Sequence, residues 1–264
     1  MIRVGTVIVL IAVFAATLGP VLTPYDPSAQ TLAQRLEAPS PAHPFGLDEL
    51  GRDILSRLLS GARISLLVGL AVVSVSSLIG MTLGSIAGYF GGGVDDLISR
   101  AIDILMAFPG ILLAIALVAV LGPSLRNVVL ALCVIGWVGY ARLVRGQALR
   151  AREFEYVQAA RALGAGPARI VARHVLPTAY PAVIVQATLG MAGAIIAEAS
   201  LSFLGLGVQP PTPSWGTMLD AGRSHLFDAP HLTVFPGLAI ATLVLGFNFL
   251  GDGLRDRIDP KAET

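Results

Sequence analysis

The chain is divided into apolar runs about as long as a bilayer is thick, separated by polar stretches that carry arginine. A hydrocarbon core is crossed by ~20 apolar residues of helix. Six stretches reach that length, at about 3–22, 62–88, 98–121, 127–147, 178–204 and 232–251. Lipid offers no hydrogen-bonding partner, so a backbone crossing it must satisfy its own N–H and C=O groups, and a single apolar run does this as a helix. Charged residues are only 13% of the 264-residue chain, against roughly a quarter in a soluble domain. These features predict an all-α polytopic membrane protein with six transmembrane helices. Gly91-Gly92-Gly93, Gly122-Pro123, Pro177 and the Pro210–Pro213 cluster punctuate the runs.

Arginine and lysine set the orientation, because cytoplasmic loops carry the excess. With both termini inside, the cytoplasmic face holds twelve of these residues, including Arg142, Arg145, Arg150, Arg152, Arg161, Arg169, Arg173 and Lys261. The outer face holds six, namely Arg35, Arg52, Arg57, Arg63, Arg126 and Arg223. The expected topology is N-in and C-in. The first run resembles a signal peptide in its leading Arg3, but it is long enough to span and no small-x-small site ends it, so it is read as a retained helix. Residues 23–60 and 205–231 then form extracytoplasmic loops. Helix-like pieces near 50–60 and 214–227 are too polar to span and are expected as surface or re-entrant helices.

Within the spans, Gly80, Gly84 and Gly88 recur every fourth residue and share one helix face, which lets another helix approach closely. Pro109 should kink the third span.

Several chemistries are absent. The one lysine, Lys261, is followed by Ala262, so no P-loop Gly-Lys-Ser/Thr exists to hold nucleotide phosphates. His43, His174, His225 and His231 form neither an HExxH nor an i, i+4 pair, so no single segment builds a metal site. No Gly-x-Ser-x-Gly elbow occurs. The one cysteine, Cys133, sits in an apolar run and has no internal partner for a disulfide. A net charge of +1 says little about nucleic acid, and no nucleic-acid partner is expected. An ion-coupled secondary transporter would show relay charges in mid-helix and inverted repeats with broken helices; neither is evident. No cofactor is expected on this chain.

The polar stretch Glu155–Pro177, EYVQAARALGAGPARIVARHVLP, lies between two spans and must meet something at the membrane face. Two short helices are expected in it. One covers about 153–163, closed by Gly164 in a left-handed conformation. The other starts at Pro167 and ends before Pro177. Phe154, Val157 and Arg161 share one stripe, and Tyr156, Ala160 and Leu163 the next. Ala159 and Ala160 form a small-residue patch. Such a helix suits a groove on another protein, or the headgroups of anionic lipid.

Glu198 is the clearest ionisable residue at membrane depth, a position that marks functional candidates. It could face a translocation cavity, or bond to a nearby hydroxyl such as Ser200 or Ser202. Asp103, Asn248 and Asp252 weigh more toward structural roles.

Gln158-Ala159-Ala160, then Gly164 after three residues and His174-Val175-Leu176-Pro177 after nine more, resembles the EAA loop of permease subunits in binding-protein-dependent ABC importers. Gln158 stands where that pattern has Glu, and His174 where it has Ile. The stretches HPFGLDELGRDILSRLLSGARISLLVG (43–69), AGYFGGGVDDLISRAIDILMAFPGILLAIALV (87–118), AEASLSFLGLGVQPPTPSWGTMLDAGR (197–223) and FPGLAIATLVLGFNFLGDGLRDRIDP (235–260) are similar to the C-type permease of the dipeptide/oligopeptide/nickel subfamily. The resemblance covers about residues 20–260 and implies a type I ABC importer permease fold in the bacterial inner membrane. It implies one permease domain over 1–264, with a core of about 58–254 and a coupling segment at 153–177. It further implies a homologous B-type permease partner, two ABC ATPase subunits or a fused pair carrying ATP and Mg, and an extracytoplasmic substrate-binding protein. Glu155, Gln158, Ala159, Ala160, Arg161, Leu163 and Gly164 would contact the ATPase, and Glu198 stands as the translocation-path candidate. Short peptides are the implied cargo.

Overall fold

Helices form along the apolar runs, and the polar stretches hold their ends. The computed structural model describes residues 1–258. Lys261, counted above among the inner charges, and the end of the expected 1–264 domain lie outside the described residues. In chain order the helices are α1 (Ile2–Leu22), α2 (Ile54–Phe90), α3 (Gly92–Met106), α4 (Gly110–Leu121), α5 (Leu125–Ala151), α6 (Glu155–Ala162), α7 (Pro167–Ile170), α8 (Leu176–Phe203), α9 (Trp215–Gly222) and α10 (His231–Ile258). Among the described residues there is no β-strand, only an isolated bridge between Leu47 and Asp53. Five helical stretches are long and apolar enough to cross a membrane: α1, α2, α5, the continuous Pro167–Phe203 and α10. The α3–α4 pair supplies a sixth if its two bent arms count as one span.

Three boundaries differ from expectation. The separate surface helix near 50–60 is the start of α2, which runs unbroken for 37 residues. At 1.5 Å per residue it reaches ~55 Å, well beyond the ~30 Å of hydrocarbon. Its polar first turns therefore stand clear of lipid. Asp53 starts it as N-cap, accepting the Ser56 backbone N–H at 2.7 Å.

The third span is broken rather than kinked. Its two arms meet at 85°. Pro109 offers no N–H and disfavours helical backbone at Phe108, so α3 stops at Met106 and α4 restarts at Gly110.

Finally, Pro177 does not end the second cytoplasmic helix. A π-helical stretch, Val171–Val175, widens the turn just before it, and Pro177 falls in the first turn of α8. A first-turn residue needs no intrahelical donor, so the helix continues from Pro167 to Phe203.

The glycine stripe sets the closest helix approach. Methyl groups built at Gly80 and Gly84 would overlap Tyr140 and the Ala141 carbonyl. One at Gly88 would lie 2.6 Å from the Ala148 Cβ and from the Arg145 carbonyl oxygen. The stripe thus lies against α5 through three turns. At one end of this pair the Arg145 guanidinium clamps the Asp95 carboxylate of α3, with Nη2 donating to Oδ2 at 2.8 Å.

The other face of α2 meets α1, α9 and α10. There Trp215 is buried, its Nε1–H donates to the Leu58 carbonyl at 2.9 Å, and Gly61 lies against its ring. Ser214 and Thr217 cap α9 reciprocally, which fixes how Trp215 enters.

Candidate functional site

The polar segment folds as a short rod tied to the ends of three spans. Glu155 to Ala162 is helical, and Phe154 precedes it in extended backbone. Its end follows the local sequence closely. Gly164 takes φ +83°, its N–H bonds to the Arg161 carbonyl, and the Ala165 N–H bonds to the Ala160 carbonyl, both at 3.0 Å. Those two bonds make a Schellman closure and satisfy carbonyls that would otherwise be free. Gly166 then leads into Pro167 at the first position of α7.

One residue of α6 is fully buried, Val157. It packs in a cluster with Tyr89 at the end of α2, Ala148 and Ala151 at the end of α5, and Ile170 and Val175 at the root of α8. Arg161, one turn on, stacks its guanidinium over the Tyr89 ring, 5.5 Å from the centroid. Cation–π contacts of this kind contribute about 0.5–1 kcal/mol at exposed sites. Arg152 donates to the Gly88 carbonyl at 3.3 Å, and Gln158 donates to the Glu153 carbonyl at 3.1 Å. Val157 therefore faces the bundle, with the exposed Arg161 reaching back over Tyr89, while Phe154 of the same expected stripe is exposed.

The opposite side is open. Glu155, Gln158, Ala159, Arg161, Leu163 and Gly164 are exposed, and Ala160 is half-buried. Leu163 is 88% exposed and Tyr156 47%. Leu163 and Tyr156 thus give this side an exposed apolar surface beside two alanines. All seven candidate coupling residues are thus brought to one rod, six of them exposed and Ala160 half-buried, and the Arg161 guanidinium reaches the Tyr89 ring while its residue stays exposed. Tyr89 has no signal in the sequence, and Val157 is placed on a stripe there but not as the anchor of the rod. The spacing of Val157 from Arg161 places both on one face but does not say which way that face points.

Glu198 lies far from this cluster. It is ~40 Å along the continuous helix from Ile170 at 1.5 Å per residue. It has no exposed surface. Ser202 donates to its Oε1 at 2.7 Å and Ser65 of α2 to its Oε2 at 3.4 Å, and the Ser214 hydroxyl is a further partner. Ser200, named above as an alternative, instead bonds the Ile196 carbonyl. The carboxyl thus joins α2, α8 and the start of α9. Among the described residues no group of three or more His, Cys, Asp or Glu is gathered to hold a metal ion.

Residues 80–264 match the family described as binding-protein-dependent transport system inner membrane component. The chain belongs to that permease family. Residues 1–39 match the N-terminal transmembrane domain of oligopeptide transport permease C. The permease is 47% identical over 261 residues to the dipeptide transport system permease protein DppC of Alkalihalophilus pseudofirmus, covering 99% of this chain and 86% of that one. It is 48% identical to the glutathione transport system permease protein GsiD of Pectobacterium atrosepticum, over 97% of this chain and 85% of that one. The probable D,D-dipeptide transport system permease protein DdpC of Escherichia coli is 44% identical, with 98% and 87% covered.

Among solved structures, a chain of the MetNI methionine ABC transporter in an inward-facing conformation superposes with a TM-score of 0.62 at 20% identity, over 77% of this chain and 96% of that one. A chain of an amino acid ABC transporter gives 0.59 at 16%, covering 76% and 94%. The fold is that of an ABC importer membrane subunit. The permease is a multi-pass inner-membrane protein and a transport subunit.

Proposed function

We propose that this permease forms half of the translocation path of an ATP-driven importer of short peptides and that α6 is the helix that receives the ATPase stroke. The observation that carries the coupling role is the two-sided build of α6. Its outer side is small, apolar and open, and its inner side is packed onto the ends of α2, α5 and α8. A helix resting on lipid needs no such inner anchor. A groove on an ATPase would hold Ala159, Ala160 and Leu163, and movement of that groove would reach the spans through Val157 and Tyr89. The π-helical turn at Val171–Val175 is where the long helix can yield, because a π-turn interrupts the i→i−4 ladder and is a site of helix bending.

Nucleotide and Mg belong to the partner ATPases in this reading. A homologous permease supplies the other half of the path, and an extracytoplasmic protein delivers cargo. The peptide assignment is supported by the dipeptide and glutathione names of the relatives. Reconstitution of this permease with its partner permease, ATPases and binding protein is expected to give ATP-dependent accumulation of a labelled dipeptide in proteoliposomes. Accumulation that needs no ATPase, or none with any short peptide, overturns it.

Glu198 is the acidic candidate for the path. Its burial and its hydroxyl partners support a bracing role instead. Glu198→Gln keeps the shape and the hydrogen bonds, so uptake should change less than about threefold. Glu198→Leu leaves the Ser65 and Ser202 hydroxyls buried and unbonded at roughly 1–3 kcal/mol each, and should lower the yield of folded complex. A normally assembled Glu198→Gln importer with little uptake would put the carboxylate in the path.

A further inference from the structure

The extracytoplasmic segment ahead of α2 builds a charged cavity that the coupling mechanism does not use. Gly51, at φ +70°, turns the chain where a side chain would strike the Thr31 carbonyl. The turn brings Asp48 under two arginines. Asp48 Oδ1 accepts the Leu50 and Arg52 backbone N–H groups, each at 2.9 Å. Its Oδ2 takes Arg52 Nε at 2.7 Å and stands 3.4 Å from Arg57 Nε. Arg57 Nη1 also donates to the Pro27 carbonyl at 3.1 Å. One carboxylate is thus shared by two guanidinium groups whose side chains are only 8% and 6% exposed. Among the described residues, the terminal nitrogens of Arg52 have no hydrogen-bond partner.

Both arginines line a cavity of about 270 Å³ closed by the 205–212 loop and α9. Gln209 and Thr217 add neutral polar groups, and Glu49 and Asp220 add carboxylates. Asp220 is already paired with Arg223 at 3.1 Å, while Glu49 has no ion pair among the described residues.

We propose that this cavity is a cargo site for a short zwitterionic peptide, with Arg52 and Arg57 taking its terminal carboxylate and Glu49 its ammonium group. The inference rests on the peptide-importer reading and adds to it a recognition step on the permease itself. The one Asp48 carboxylate is shared by two guanidinium groups, which leaves donors facing the cavity, and the planar fork of arginine suits a second carboxylate bidentately. A second charge of opposite sign on the same wall fits the other end of the ligand. The volume is just under the ~300 Å³ at which ligand pockets usually begin, which suits a ligand of one or two residues and excludes a protein lobe.

The test uses the assembled importer in nanodiscs without its binding protein. A labelled dipeptide should bind saturably below ~10 mM. The same dipeptide amidated at its C-terminus should compete about tenfold more weakly, as expected for losing charge-assisted bonds. Glu49→Gln should weaken the dipeptide several-fold but leave its N-acetylated form unchanged. Arg52→Lys, in complexes that assemble, should reduce the preference for the free carboxylate.

Absence of saturable binding, or equal competition by the amide, overturns the site whether or not the arginine variants fold. A rise only in the half-saturating concentration of binding protein for ATPase stimulation would make the arginines a docking contact, and also overturns it. Uptake of free dipeptides by the full wild-type system separates these outcomes from failure of the peptide reading, because that uptake would persist.

Discussion

An importer carrying Ala160→Arg in α6 should retain its two permeases but lose its ATPases on purification, with ATP-dependent uptake falling at least a hundredfold. Ala160 is half-buried at the rod's edge, between the inward-facing Val157 and the outer Ala159–Leu163 side. An arginine there adds a long cation where a groove would close over a methyl group. Burying an unpaired charge costs several kcal/mol, and about 2.7 kcal/mol already shifts an equilibrium a hundredfold. The substitution leaves Val157, Tyr89 and the helix cap untouched, so the permease should fold normally. Co-purification of the ATPase with each variant, measured beside uptake, checks this. Gly164→Asp should act in the same direction by a different route. At φ +83° a side chain strains the backbone that closes α6, although the space around it is open. If both variants keep ATPase binding and uptake, α6 is not the coupling element.

Gly84→Leu should prevent assembly altogether. The methyl alone would overlap the Ala141 carbonyl and lie 3.0 Å from the Arg145 backbone nitrogen. Neither can yield by a rotamer change, since both are main-chain atoms of α5. To fit leucine, α2 and α5 must separate along several turns. That would loosen the Asp95 clamp on Arg145 and the cluster beneath Val157 together. Overpacking of a side-chain core typically costs about 1–3 kcal/mol, and clash with a backbone exceeds it. The expected result is little monodisperse protein in detergent, against normal yield for Gly93→Ala, where nothing lies within 4 Å of an added methyl. Normal assembly of Gly84→Leu would mean that α2 and α5 do not pack through this stripe.

The candidate site was partly legible before any coordinates. Gly164 at the end of α6 and Pro167 at the start of α7 act within one turn, so their residue types suffice. Pro177 misled for the same reason, since its local effect is to stop a helix. Only the π-helical turn before it, held by Val175 in the buried cluster, carries the helix through. The partners of Glu198 were half legible. Ser202 is four residues on, but Ser65 is 133 positions away and no local pattern points to it.

What the sequence alone determined is what lipid demands of any chain: where the apolar runs lie, that they become helices, and that a glycine stripe marks a close approach. Orientation is read from the same source, the uneven spread of arginine. The tertiary structure decided which helix meets the stripe, that Val157 faces inward while Leu163 faces out, and that Arg52 and Arg57 share Asp48. The difference is one of range. Backbone satisfaction and capping are settled within a few residues, whereas burial of a side chain depends on what distant segments bring against it.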